Sequence, residues 1–152
     1  TFGMVRQGGT RAHQGIDLIA VPGTPLYAVA DGTVHLAPAP NSSYPYGNTL
    51  VLVVNIDDLP SKQAAAFRAV NAENRTIGFF YAHLQEFSVR AGPVSAGTVI
   101  AKSGSSGNAR NMTTVATGAH LHFEVRKDAL MRSVGLSNRV DPLPFLNQYS
   151  NQ

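Results

Sequence analysis

Hydrophobic and polar residues alternate with period two through much of this chain, the pattern of half-buried strands. The clearest runs are Leu26-Tyr27-Ala28-Val29-Ala30, Thr33-Val34-His35-Leu36 and His120-Leu121-His122-Phe123-Glu124-Val125. Asp31-Gly32 stands between the first two, and such a pair between alternating runs predicts a hairpin. A β-branched run over residues 49–56 predicts a buried strand, and another strand covers residues 76–84. Between them, Ser61-Lys62-Gln63-Ala64-Ala65-Ala66-Phe67-Arg68-Ala69-Val70 is alanine-rich and predicts one short helix. Pro60 and Ser61 are its start signal, and Ala66, Phe67, Ala69 and Val70 its expected packing face. Residues 89–103 read as short strands joined by tight turns. Residues 103–118, rich in Gly, Ser, Asn and Thr, read as a long loop. A brief helical turn is expected around residues 130–136 and an extended tail at 141–145.

These elements predict a mainly β fold with one short inserted helix. At 152 residues the chain fits one domain, residues 1–152, around a single core. Charged residues make up 14%, well below the usual quarter, while 14 glycines and 9 prolines suit a turn-rich β domain. The net charge of +3 is mildly basic without a Lys/Arg stripe, so no nucleic-acid partner is expected. The absence of cysteine rules out disulfide staples and thiolate metal ligands. No apolar run approaches the roughly 18 residues of a membrane span, and no signal peptide is visible.

Four of the five histidines fall in three short segments: His13-Gln14-Gly15-Ile16-Asp17, Tyr81-Ala82-His83-Leu84 and His120-Leu121-His122. Residues two apart on a strand share a face, so His120, His122 and Glu124 point to one side, with Leu121, Phe123 and Val125 toward the core. Gly15 is expected to let the backbone bend so that His13 and Asp17 reach one ion. Two histidines and a carboxylate leave a fourth metal position open, the arrangement of catalytic rather than structural zinc. His35, with no acidic or histidine neighbour, reads as a solvent-facing residue.

In order along the chain, Phe2-Gly3, His13-Gln14-Gly15-Ile16-Asp17-Leu18, Pro22-Gly23-Thr24-Pro25-Leu26-Tyr27-Ala28 and Ala30-Asp31-Gly32-Thr33-Val34 carry a resemblance. Tyr46-Gly47-Asn48, Tyr81-Ala82-His83-Leu84, Val94-Ser95-Ala96-Gly97, Thr117-Gly118-Ala119-His120-Leu121-His122-Phe123-Glu124 and Val140-Asp141-Pro142 complete it. The chain resembles the lysostaphin-like zinc metalloendopeptidases, which cut the peptide part of bacterial peptidoglycan.

The resemblance implies an antiparallel β-sheet groove of the duplicated hybrid motif type. It implies one Zn2+ held by His13, Asp17 and His122, with His83 and His120 as the catalytic pair. The substrate would be a peptidoglycan peptide, and the setting extracytoplasmic: periplasmic, cell-wall or secreted. A monomer is expected. Arg11 could meet a substrate carboxylate, and Tyr81, two before His83, could share the groove face. Glu124 is expected to support the site structurally. Some relatives have lost the ligands and only activate other enzymes, so the alternative is a non-catalytic regulatory or wall-binding module. A zinc peptidase acting on a non-wall protein is a further reading. The helix at 61–70 and the lengthened loop at 108–116 depart from many relatives and are expected to flank the groove.

Overall fold

The computed structural model describes residues 2–9, 11–132 and 135–146. Its centre is an antiparallel pair, β6 (Asn48–Asn55) and β7 (Thr76–Phe87). β5 (Gly32–Ala37) and then β8 (Gly92–Val94) extend the sheet on one side. β10 (His120–Arg126) and β11 (Arg139–Val140) extend it on the other. β3 (Ile16–Ile19) pairs with the first half of β10. β9 (Val99–Ser103) pairs with the far end of β7 and with β4 (Pro25–Tyr27). β1 (Gly3–Arg6) and β2 (Arg11–His13) form a separate two-stranded hairpin. The fold is thus mainly antiparallel β.

The core gathers on one face of this sheet. Leu50, Leu52 and Val54 from β6, Phe79 and Tyr81 from β7, and Phe123 and Val125 from β10 are all buried in one cluster. Phe79 stacks on Phe123, with ring centroids 6.0 Å apart. Each such ring contributes roughly 1.5–3 kcal/mol by leaving water.

α1 (Ser61–Val70) forms over the predicted residues, but through a different face. Gln63, Ala64 and Phe67 are buried, whereas Ala69 and Val70 are exposed. The reason lies at the chain's end, where the expected extended tail is instead a short helix, α2 (Leu143–Leu146). Phe145 packs edge-on against Phe67, and its carbonyl accepts a 2.9 Å hydrogen bond from Gln63 Nε2. The docking partner therefore selects the helix face.

The Asp31-Gly32 hairpin does not form. β4 pairs with β9, and β5 pairs with β6 and β8, so local turn propensity yields to long-range pairing. Ala28 hydrogen-bonds Thr98 and Gly97 through its backbone, and Asp31 Oδ1 accepts from the Ala96 amide. The helical turn expected at 130–136 lies partly outside the described residues, and its described part contains no helix.

Candidate metal centre

β10 carries the site because alternation sends His120, His122, Glu124 and Arg126 to the face opposite the core. Its register places Asp17 of β3 directly across from His122 on one side and Ala82 of β7 on the other. Asp17 Oδ1 consequently lies 3.0 Å from His122 Nδ1. His13, at the end of β2, brings its Nε2 to 3.3 Å from the same oxygen. One donor atom from each of His13, Asp17 and His122 falls within 4.8 Å of the others. Zinc–ligand bonds of about 2.0–2.2 Å in a tetrahedron hold donors roughly 3.3 Å apart, so this set fits zinc. Both histidines are buried while Asp17 is partly open to a pocket of about 340 Å³. Burial would raise the Asp17 pKa, but the His122 hydrogen bond and the charges of His120, His13 and His122 hold it well below the usual carboxylate range.

Gly15 has a different task from the one expected. Its φ is not in the left-handed region, but a Cβ there would overlap the Phe123 carbonyl oxygen. The residue lets the segment between the two ligands lie flush on β10.

His83 reaches the groove by breaking the alternation. Tyr81 pairs with core-facing Phe123, so strict period two would also turn His83 into the core. Pairing with β6 slips by one residue here: Leu50 faces Tyr81, but Asn48 faces Leu84. His83 takes φ 59°, the one described non-glycine residue in the left-handed region. Such a bulge re-aims a side chain at a local cost of about 1–3 kcal/mol. The imidazole then stands edge-on to His120, with ring centroids 5.1 Å apart. Burial pushes its pKa down to about 4, although the hydrogen bond to Ser106 opposes this. Tyr81, by contrast, is a core residue packed edge-on against Phe123. Its expected place on the groove face is corrected by the same bulge.

A buried polar layer lies under the ligands. His122 Nε2 is 2.9 Å from Glu124 Oε2, which also accepts from Tyr46 Oη at 3.1 Å. Glu124 Oε1 accepts from Arg126 Nε at 3.0 Å and Arg139 Nε at 3.1 Å. Burial raises the Glu124 pKa, yet the His122 hydrogen bond and the arginine charges outweigh it and bring the value down to about 2. A carboxylate behind a ligating imidazole fixes its tautomer, here leaving Nδ1 to face Asp17 and His13. Tyr46 stacks on His122 at 5.3 Å and 20°, and Gln14 ties Tyr46 Oη to the Gly135 amide. Burial and the Glu124 charge push the Tyr46 pKa up to about 12, so it remains a donor.

One bank of the pocket is clamped. Ser106 accepts from His83 Nδ1 through its carbonyl, and its hydroxyl bridges the Asn48 amide and the Leu84 carbonyl. The Asn108 amide bonds the Pro45 carbonyl at 2.8 Å. Gly47 and Gly107 meet at this contact with φ 64° and 73°, and a Cβ on either would overlap the opposing loop.

Arg11 is exposed and lines the pocket with His13 and Asp17. Sequence reasoning missed Gln14, Tyr46, Arg126 and Arg139, and also Arg6, whose Nη2 lies 3.3 Å from Asp17 Oδ2. Tyr46 and Gln14 did sit within recognisable motifs, but a motif does not say what its side chains touch. His35 is exposed, as read.

Residues 11–142 match Peptidase family M23. The chain is 32% identical over 135 residues to the glycyl-glycine endopeptidase ALE-1 of Staphylococcus capitis, covering 88% of this chain and 29% of that protein. It is 34% identical over 116 residues to the DD-carboxypeptidase/endopeptidase Mpg of Neisseria meningitidis serogroup B, covering 76% and 20% respectively. Among solved structures, the catalytic domain of the antimicrobial peptidase lysostaphin from Staphylococcus simulans superimposes with a TM-score of 0.61. That match has 28% identity and covers 96% of this chain and 86% of the other. The chain spans under a third of the length of these curated relatives.

Proposed function

This chain belongs to peptidase family M23, and we propose that it is a zinc-dependent endopeptidase hydrolysing amide bonds in the peptide crosslinks of bacterial peptidoglycan. The observation that carries the reading is the His13, Asp17 and His122 donor set beside the facing rings of His83 and His120. When bound there, zinc supplies Lewis acidity toward the scissile carbonyl and lowers the pKa of a water.

The chain's own groups do the proton work. His83 Nδ1 and His120 Nδ1 each lie 2.8 Å from a backbone carbonyl, of Ser106 and Gly118. A carbonyl only accepts, so in neutral rings both protons sit on Nδ1 and both Nε2 atoms are left as acceptors. The pair can take a proton from the attacking water and return one to the leaving amine. We assign Glu124 no part as that base, since it is fully buried and both its oxygens are engaged by His122, Tyr46, Arg126 and Arg139. It holds His122 instead. Arg11, which lines the pocket, is our candidate to meet a substrate carboxylate. We place the enzyme outside the cytoplasm and acting as a monomer.

The relatives differ in the bond their names specify, glycyl-glycine in one and a D,D-peptide in another. Mass spectrometry of Gram-negative and staphylococcal peptidoglycan, digested by wild type and by His122→Ala, separates these. New amino termini are expected with wild type alone, and their identity names the bond. Two unchanged walls would overturn the reading in favour of a non-catalytic regulatory or wall-binding module.

A further inference from the structure

A second cleft, of about 740 Å³, adjoins the metal pocket. The two share Gln14, Pro45 and Tyr46 as a common wall. The cleft continues the functional face of β10, with Arg126 and Phe80 in its floor and Pro38, Pro40 and Tyr44 among its walls. Three arginines, Arg126, Arg132 and Arg139, line it, and among the described residues no acidic one does.

Glu124 is the carboxylate that Arg126 and Arg139 share, and His122 and Tyr46 occupy its other oxygen. Arg126 and Arg139 thus share one buried carboxylate, and the exposed Arg132 adds a further positive charge to the cleft. Arg126 spends Nε and Nη2 on Glu124 and lies over Phe80 at 3.9 Å. Its Nη1 has no protein acceptor among the described residues. A guanidinium with a spare donor, in an apolar cleft that water screens poorly, is a matched partner for a carboxylate.

We propose that this cleft binds a free carboxylate of the peptide substrate while the scissile amide lies at the metal pocket. The inference rests on the peptidase reading above. From His122 to Arg126 is four strand residues, roughly 13 Å. An extended peptide covers that span in about four residues. The substrate class is therefore a peptide with a free carboxylate about four residues from the bond cut, and amidation of that group weakens it.

The test uses two synthetic crosslinked stem peptides, one with free α-carboxylates and one with carboxamides. Hydrolysis is measured with wild type, Arg132→Gln and Arg126→Gln. Amidation is expected to lower wild-type kcat/KM about tenfold, the scale of one charge-assisted hydrogen bond. That preference shrinks to about threefold in Arg132→Gln and disappears in Arg126→Gln. Arg132 is exposed, so its variant carries the test if Arg126→Gln does not fold. Equal wild-type rates on both peptides overturn the inference and leave the peptidase reading standing. If neither peptide is cut, the peptidase reading fails on this substrate, and the cleft is judged by binding. Shifts of the Arg126 and Arg132 Nε–H resonances with the free acid alone support it, whereas equal shifts with both peptides, or none, overturn it.

Discussion

Along β10 two sets of buried residues face opposite ways: Leu121, Phe123 and Val125 toward the core, and His122, Glu124 and Arg126 toward the groove. The core set stabilises by removing apolar area from water and packing aromatic rings. The groove set is just as dry but consists of ionisable groups, whose desolvation roughly cancels their mutual attraction. Stability and chemistry are thus divided between two faces of one strand. The apolar face can hold the chain in place while the polar face holds a candidate metal-ligating array that contributes little net stability.

The largest effects should come from breaking the polar face at its histidines. His122→Ala is expected to lose zinc and activity together, whereas His83→Ala keeps zinc and loses roughly 10²–10⁴ in turnover. Metal analysis beside a hydrolysis assay checks both, and the reverse metal pattern would sink the ligand assignment. Next come paired substitutions one residue apart. Phe123→Ala should cost about 3–5 kcal/mol in denaturant unfolding through a core cavity. Glu124→Gln should cost a similar amount by leaving Arg126 and Arg139 without their counter-charge. It should also weaken zinc about 10–100-fold, which Phe123→Ala should not. Comparable zinc loss in both variants would mean that the two faces are not separable.

A smaller effect concerns pH. Burial lowers the His83 pKa from 6.5 to about 4. Between those values the unfolded chain binds more protons than the folded one. The metal-free protein is therefore expected to lose stability as pH falls from 6.5 toward 4, and His83→Asn should flatten that limb. Unfolding measured in chelator across that window checks it. The core-face variant Phe123→Ala should leave the slope intact.

Much of this was legible in the sequence wherever one period governed one element. The helix at 61–70, the central strands and the two faces of β10 follow from local pattern. That His13, Asp17 and His122 come together was legible from the motifs in which they sit, although the spacing between segments says nothing of distance. The misreadings arose where distant partners decide. β4 chose β9 over its neighbour across Asp31-Gly32, and α2 selected which side of α1 would be buried. Tyr81 was misplaced because a one-residue slip against β6 is invisible in the alternation of β7 itself. The arginines under Glu124 were missed because pairing among buried charges leaves no periodic trace.

The contact at Gly47 and Gly107 has a mechanical consequence. It welds the loop bearing Tyr46 to the loop that orients His83, so that bank of the groove behaves as one casting with no hinge of its own. Whatever clearance a passing peptide requires must come from beyond this contact, where residues 110–118 further along the second loop stand exposed. The gauge of the groove is therefore fixed at this contact by two missing methyl groups, and any tuning of what it admits falls to the rest of the rim.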